Sequence, residues 1–248
     1  MSTPPGWAGR LIGLAQSRWL LSLGAASLGV WAFLQIADEL DDSQSMDRAI
    51  LLAMRSPDDP ADPLGPPWFE EAMRDVTALG GVTFLVLATL SVSAYLAFRQ
   101  RRRLALLTVA TISGAQLVNE AVKDLFQRAR PDLVPHGTAP YSSSFPSGHA
   151  MMAMVTFLTL ALVLGALEPR RRTRAFLLGL AALMAALVGV SRVYLGVHWP
   201  TDVAGGWALG ASWAFCASLL FHHGIRRGAP PQQLVPDAET VALPERPE

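Results

Sequence analysis

The chain has almost no lysine. Of its 20 basic residues one is Lys123 and the rest are arginine. It holds one cysteine, Cys216, so no intrachain disulfide can form, and the position of Cys216 within an apolar run reads as a small buried hydrophobe. Charge is scarce as well. Charged residues make up 16% and hydrophobic ones 51%, whereas a typical soluble domain is about 25% charged. Basic and acidic residues balance at 20 each, which removes any bulk attraction to nucleic acid or to an acidic partner. No internal repeat is visible, and the N-terminal residues lack a signal-peptide cleavage pattern.

What the chain does have is six apolar runs: Trp19–Ala37, Val76–Phe98, Leu104–Asn119, Ala150–Leu167, Ala175–Ser191 and Val203–Phe221. The first is nineteen residues long. At about 1.5 Å per helical residue that suffices for a bilayer core of about 30 Å. The expected fold is therefore all-α, a six-transmembrane helical bundle. Residues 1–18 read as a cytoplasmic tail, residues 19–225 as the membrane domain, and residues 226–248, rich in proline and acidic side chains, as a disordered cytoplasmic tail. Residues 38–75 form an acidic loop with two short amphipathic pieces, Met46–Arg55 and Trp68–Arg74, on either side of a proline-rich turn. These pieces either lie in the membrane interface, with Ile50, Leu51, Leu52, Trp68 and Phe69 dipping in, or simply cap the bundle.

The basic residues fix an orientation. Thirteen fall on the side of the two tails and the loops 99–103 and 168–174, and seven on the other side. The positive-inside rule then puts both termini in the cytoplasm. The acidic loop, residues 120–149 and residues 191–202 all fall on the extracytoplasmic face.

Three charged stretches sit at ends of apolar runs on that face. Ionisable groups at membrane depth are costly and mark functional sites. The first stretch is Lys123-Asp-Leu-Phe-Gln-Arg-Ala-Arg130-Pro131. A helix continued to Pro131 would bring Lys123 and Arg130 to one face, two turns apart. Arg128 points elsewhere in that geometry and reads as an ordinary interfacial arginine. The second is Phe145-Pro-Ser-Gly-His149. Ser147 and Gly148 at a helix start leave free backbone N–H groups, a site for an anion, with His149 in the first turn. The third runs from Ser191 to Asp202. Arg192 closes one helix, Pro200 opens the next, and Asp202 reaches back toward His198 to fix its tautomer. A carboxylate-oriented histidine is a candidate base or nucleophile. Cations and helix N–H groups together suit a phosphoryl group. A metal bound by His149, His198 and Asp202 is disfavoured by three nearby cations, so no metal and no cofactor is expected. Spacing alone leaves open which histidine attacks.

The pattern Lys-x₆-Arg-Pro, Pro-Ser-Gly-His, Ser-Arg-x₅-His-x₃-Asp resembles the three-part signature of the type 2 phosphatidic acid phosphatase (PAP2) superfamily. Each position is filled: Lys123, Arg130 and Pro131; Pro146, Ser147, Gly148 and His149; Ser191, Arg192, His198 and Asp202. The resemblance covers about residues 75–222 and leaves the acidic loop outside it. It implies an integral-membrane lipid phosphate phosphatase that works through a phosphohistidine and without metal. His198 would be the nucleophile, Asp202 its orienter and His149 the acid and base. Lys123, Arg130, Ser147, Gly148 and Arg192 would hold the phosphoryl oxygens. The implied partners are the bilayer and a lipid phosphate: phosphatidate, phosphatidylglycerol phosphate, undecaprenyl diphosphate or a lipid A phosphate. A lipid phosphotransferase on the same site, a soluble-type haloperoxidase and a membrane transporter are the rival readings. The acidic loop is expected to help gate or select the headgroup.

Overall fold

The structure is a computed structural model and describes residues 18–132 and 143–226. Both expected tails, apart from Arg18 and Arg226, lie outside the described residues. Eight helices are described: α1 Arg18–Asp38, α2 Gln44–Leu52, α3 Pro67–Ala78, α4 Val82–Phe98, α5 Arg102–Phe126, α6 Gly148–Leu167, α7 Arg171–Tyr194 and α8 Pro200–Arg226. Among the described residues there is no strand, only an isolated bridge between Arg55 and Pro63. Five helices (α1, α5, α6, α7 and α8) are long and apolar enough to cross a membrane, and α3 with α4 makes a sixth if that bent pair is one span.

The α3–α4 pair departs from the expected single run Val76–Phe98. Its two helices meet at 48°. The cause is local. The chain breaks at Leu79-Gly80-Gly81, and a Cβ on Gly80 would lie 2.4 Å from Val188 Cγ1 and 3.3 Å from the His149 carbonyl. Only a residue without a side chain lets the backbone pass this close to α7 and the start of α6.

Helix α6 is the most buried of the spans. It packs against α8 and α7, and α8 packs in turn against α1. The α6–α8 contact is close because α8 presents glycine. A Cβ on Gly206 would be 2.8 Å from the Ser147 carbonyl, and one on Gly210 would be 2.7 Å from that of Met151. Small residues at a helix contact let backbones approach, which is how helices gain dispersion energy where lipid is as apolar as leucine. The outer surface carries Leu28, Leu87, Leu106, Leu117 and Phe176, all exposed, as a lipid-facing belt requires. Cys216 is exposed with them, against the expectation of burial. In a membrane span the apolar face is the outer one, so an apolar neighbourhood does not imply a core position.

The acidic loop is a folded cap. Leu51 of α2 is fully buried and shares a cluster with Ala150, Val193 and Val203, so it does not dip into an interface; Trp68 on α3 is exposed. Arg55 is buried and donates from Nη2 to the Tyr194 carbonyl at 2.8 Å. A cation there satisfies the C-terminal end of α7. Tyr194 donates its hydroxyl to the Leu64 carbonyl at 3.0 Å, and Phe69 meets the Tyr194 ring edge-on at 5.1 Å.

Candidate active site

Four helix ends meet at the site: the C-termini of α5 and α7 and the N-termini of α6 and α8. The start of α6 is fixed by aromatic packing. Phe145 is fully buried, stacked on Phe33 at 5.6 Å and edge-on to Phe126 at 4.9 Å. Ser147 is the N-cap of α6, and its backbone N–H donates to the Asp202 carbonyl at 2.9 Å. This bond ties the second charged stretch to the third. The Ser147 hydroxyl is buried and has no hydrogen-bond partner among the described residues. Gly148 faces Lys123: a Cβ there would lie 3.4 Å from Lys123 Nζ and 3.3 Å from Asn119 Nδ2.

His198 lies in the turn between α7 and α8 and is almost wholly buried. Its Nδ1 is 3.4 Å from Asp202 Oδ2 and 3.4 Å from Ser144 Oγ. Its Nε2 is 3.3 Å from Arg130 Nη1. Guanidinium only donates, so Nε2 is the acceptor and the ring proton sits on Nδ1, toward the carboxylate. Burial pushes the His198 pKa down to about 4, against the pull of the Asp202 hydrogen bond and charge, with Arg192 and Arg130 adding to the downward push. The ring is thus neutral at pH 7. Arg192 donates to Thr77 Oγ1 at 3.2 Å, and its Nε has no partner among the described residues.

The route by which Lys123 and Arg130 converge differs from the expected one. Helix α5 ends at Phe126, not at Pro131, and Gln127 follows in a left-handed conformation with φ 46°. The arginines beyond it are drawn off by tertiary partners. Arg128 N–H donates to Ser143 Oγ at 2.9 Å, and Ser144 N–H donates to the Arg128 carbonyl at 2.8 Å. Lys123 therefore comes from the helix and Arg130 from the segment after it.

Arg128 is no ordinary interfacial arginine. Its Nη1 donates to Asp202 Oδ1 at 2.6 Å and to Thr201 Oγ1 at 2.8 Å, and its Nη2 to Asp47 Oδ2 at 2.8 Å. Asp47, in the acidic loop, is fully buried and accepts from Thr201 N–H at 3.0 Å. It thereby caps the N-terminus of α8 from another helix. Ser144 donates its hydroxyl to Asp202 Oδ2, which also accepts from Trp199 N–H at 2.9 Å. Sequence reasoning missed Arg128, Asp47, Ser144 and Asn119. An apolar flank on Asp47 in a short amphipathic helix was the one signal for its burial. Arg128 gave none, since helical spacing pointed it away.

Two cavities reach the site. One, of about 530 Å³, is bordered by the charged side chains of Arg48, Arg128, Arg130 and Asp132 and by Trp199. The other, of about 480 Å³, lies between α4, α5 and α6; Lys123, Gly148 and His149 are at its head and Leu85, Val86 and Ile112 deeper in. Cations, unpaired helix N–H groups and a neutral oriented histidine together can hold and attack a tetrahedral oxyanion. Among the described residues no three metal-ligating side chains gather so as to hold a metal ion.

The chain is similar to known proteins in sequence and in fold. The family model of the PAP2 superfamily matches residues 103–226. Phosphatidylglycerophosphatase B of Bacillus subtilis is 37% identical over 147 residues, which is 58% of this chain and 71% of that protein. The undecaprenyl-diphosphatase of Sulfolobus acidocaldarius is 35% identical over 123 residues, 48% of this chain and 55% of that protein. Among solved structures, the transmembrane PAP2 type phosphatidylglycerolphosphate phosphatase from Bacillus subtilis superposes with a TM-score of 0.72. It is 31% identical, and the match covers 80% of this chain and 96% of that one.

Proposed function

This chain belongs to the PAP2 superfamily, and from that premise we propose that it is an inner-membrane phosphatase that removes phosphate from a membrane lipid on the extracytoplasmic face. The observation that carries the reading is the His198 ring. Its Nδ1 is turned to Asp202 and its Nε2 to Arg130, so its nucleophilic lone pair points to the phosphate clamp. Lys123, Arg130, Arg192, Ser147 Oγ and the Gly148 N–H hold the phosphoryl oxygens as charge spreads over them.

His198 Nε2 attacks phosphorus, and the bond from phosphorus to the leaving oxygen breaks. His149, which takes up a proton as the phosphate dianion binds beside it, gives that proton to the leaving oxygen. Asp202 accepts from Nδ1–H and stabilises the cationic phosphohistidine. His149, now neutral, takes a proton from water as the water attacks phosphorus. The N–P bond breaks, His198 returns to its starting form, and inorganic phosphate leaves. No step needs a metal, because the three cations supply the charge.

The test is phosphate release by the purified protein from phosphatidate, phosphatidylglycerol phosphate and undecaprenyl diphosphate in EDTA, with vanadate as inhibitor. His198→Ala is expected to abolish turnover and the acid-labile phosphoenzyme. Asp202→Asn is expected to lower kcat by about 100-fold or more, within the range by which positioned acid–base groups contribute. A wild-type rate for His198→Ala would remove the nucleophile assignment, and loss of activity in EDTA would remove the metal-free mechanism.

A further inference from the structure

The cavity between α4, α5 and α6 is not lined as a lipid tail alone would need. Its α5 wall is one helical stripe: Ile112, Ser113, Gln116, Asn119, Glu120 and Lys123. At 1.5 Å per residue, Asn119 lies about 6 Å and Gln116 about 10 Å deeper than Lys123. Glu120 Oε1 accepts from Gln116 Nε2 at 2.8 Å and from Asn119 Nδ2 at 3.2 Å. The carboxylate is therefore held against the cavity wall. Asn119 is 1% exposed, and its Oδ1 has no hydrogen-bond partner among the described residues. A buried carbonyl left without a donor is costly unless a ligand supplies one.

The two histidines show which part of a substrate meets this wall. His149 borders the cavity and His198 does not. In-line displacement puts the nucleophile and the leaving oxygen on opposite sides of phosphorus. With His198 attacking, the leaving alcohol lies on the cavity side, beside His149. The atoms just beyond the scissile oxygen then reach Asn119 and Glu120 before the chain enters the apolar part near Leu85 and Ile112.

Both groups offer oxygen acceptors. A hydroxyl can donate to them, whereas a second phosphate would meet the Glu120 carboxylate with like charge. We propose that Asn119 and Glu120 form a leaving-group subsite for a free hydroxyl. The preferred substrate is then a phosphomonoester on a hydroxyl-bearing headgroup, a glycerol or a sugar, rather than a diphosphate. The proposal rests on the phosphatase reading above.

The experiment compares kcat/KM of the purified protein on phosphatidylglycerol phosphate, on its analogue lacking the hydroxyl of the terminal glycerol, on phosphatidate and on undecaprenyl diphosphate. A hydrogen bond to a charged acceptor predicts a preference of about tenfold or more for the hydroxyl-bearing lipid over its deoxy analogue. Glu120 is exposed to the cavity, so Glu120→Leu leaves the packed core alone. That variant should bring the ratio close to one and raise the diphosphate's rate relative to that of phosphatidate. Glu120→Gln keeps an acceptor oxygen and should retain part of the ratio. A wild type indifferent to the hydroxyl, or a Glu120→Leu variant that keeps the full ratio, would overturn the subsite. Absence of phosphate release from every one of these lipids would instead overturn the phosphatase reading.

Discussion

At the scale of single residues the proposed chemistry turns on the balance of charge at Asp202. Asp202 and Asp47 are both fully buried, and Arg128 lies between them. Removing a partner from a buried ion pair leaves the other charge uncompensated, at a cost of about 3–5 kcal/mol. Arg128→Ala strands two carboxylates at once. It is expected to lower the thermal midpoint and nearly abolish turnover, while Arg128→Lys, which keeps charge without the two-pronged fork, falls between. Unfolding scans and phosphate release on the same preparations check this. His198 gives a pH prediction. Its pKa is pushed down to about 4 from an ordinary value of about 6.5, so the folded ring stays neutral where an unfolded one takes a proton. Between those values the unfolded chain binds more protons, and the contribution of His198 to stability falls as pH falls. The side chain should therefore show its NMR titration well below pH 6.5. A ring that titrates at its ordinary value would contradict the burial argument.

At the scale of elements, α2 is a structural part of the site and more than a surface flap. It places Leu51 in the core and Asp47 on the first turn of α8. The expectation that the acidic loop helps gate or select the headgroup stays a proposal, and the packing adds a prediction about stability. Leu51→Ala should cost about 2–5 kcal/mol, as for other buried leucines, read from unfolding in detergent. A neutral linker in place of residues 38–75 should lower activity on every lipid alike. If only substrate preference changed, the cap reading would be wrong. Close approach of α6 and α8 is the second element-level requirement. Gly206→Leu would put side-chain atoms into the Ser147 carbonyl and the Met151 amide, shifting the start of α6. A large loss of activity is expected even though position 206 touches no substrate.

At the scale of the whole molecule the distribution of arginine predicts how the bundle sits. Arg99, Arg101, Arg102 and Arg103 lie at one end, around the α4–α5 turn, and the site lies at the other. In a Cys216→Ser background, a cysteine at Asp58 should react with a membrane-impermeant maleimide in intact cells. One at Gln100 should react only after permeabilisation. Both positions are exposed, so the contrast reads sidedness and not burial. The reverse pattern would put the site in the cytoplasm.

The sequence by itself determined what depends on local order. Runs of apolar residues dictate helices long enough for a bilayer, and helix ends carry the charged stretches because charge is excluded from the hydrocarbon. The matched motifs in the chain, from Lys123 through His149 to Asp202, were legible for the same reason: they are short and each sits at one helix end. Tertiary structure alone decided the rest. Helix α5 stops at Phe126 because Arg128 and Arg130 gain buried partners, Asp47, Asp202 and His198, that helical spacing cannot foresee. The acidic loop folds inward because Leu51 and Asp47 find a core and an orphan N–H on α8. Which histidine faces the cavity was fixed only when four helix ends met, since direction in space is not a property of sequence distance.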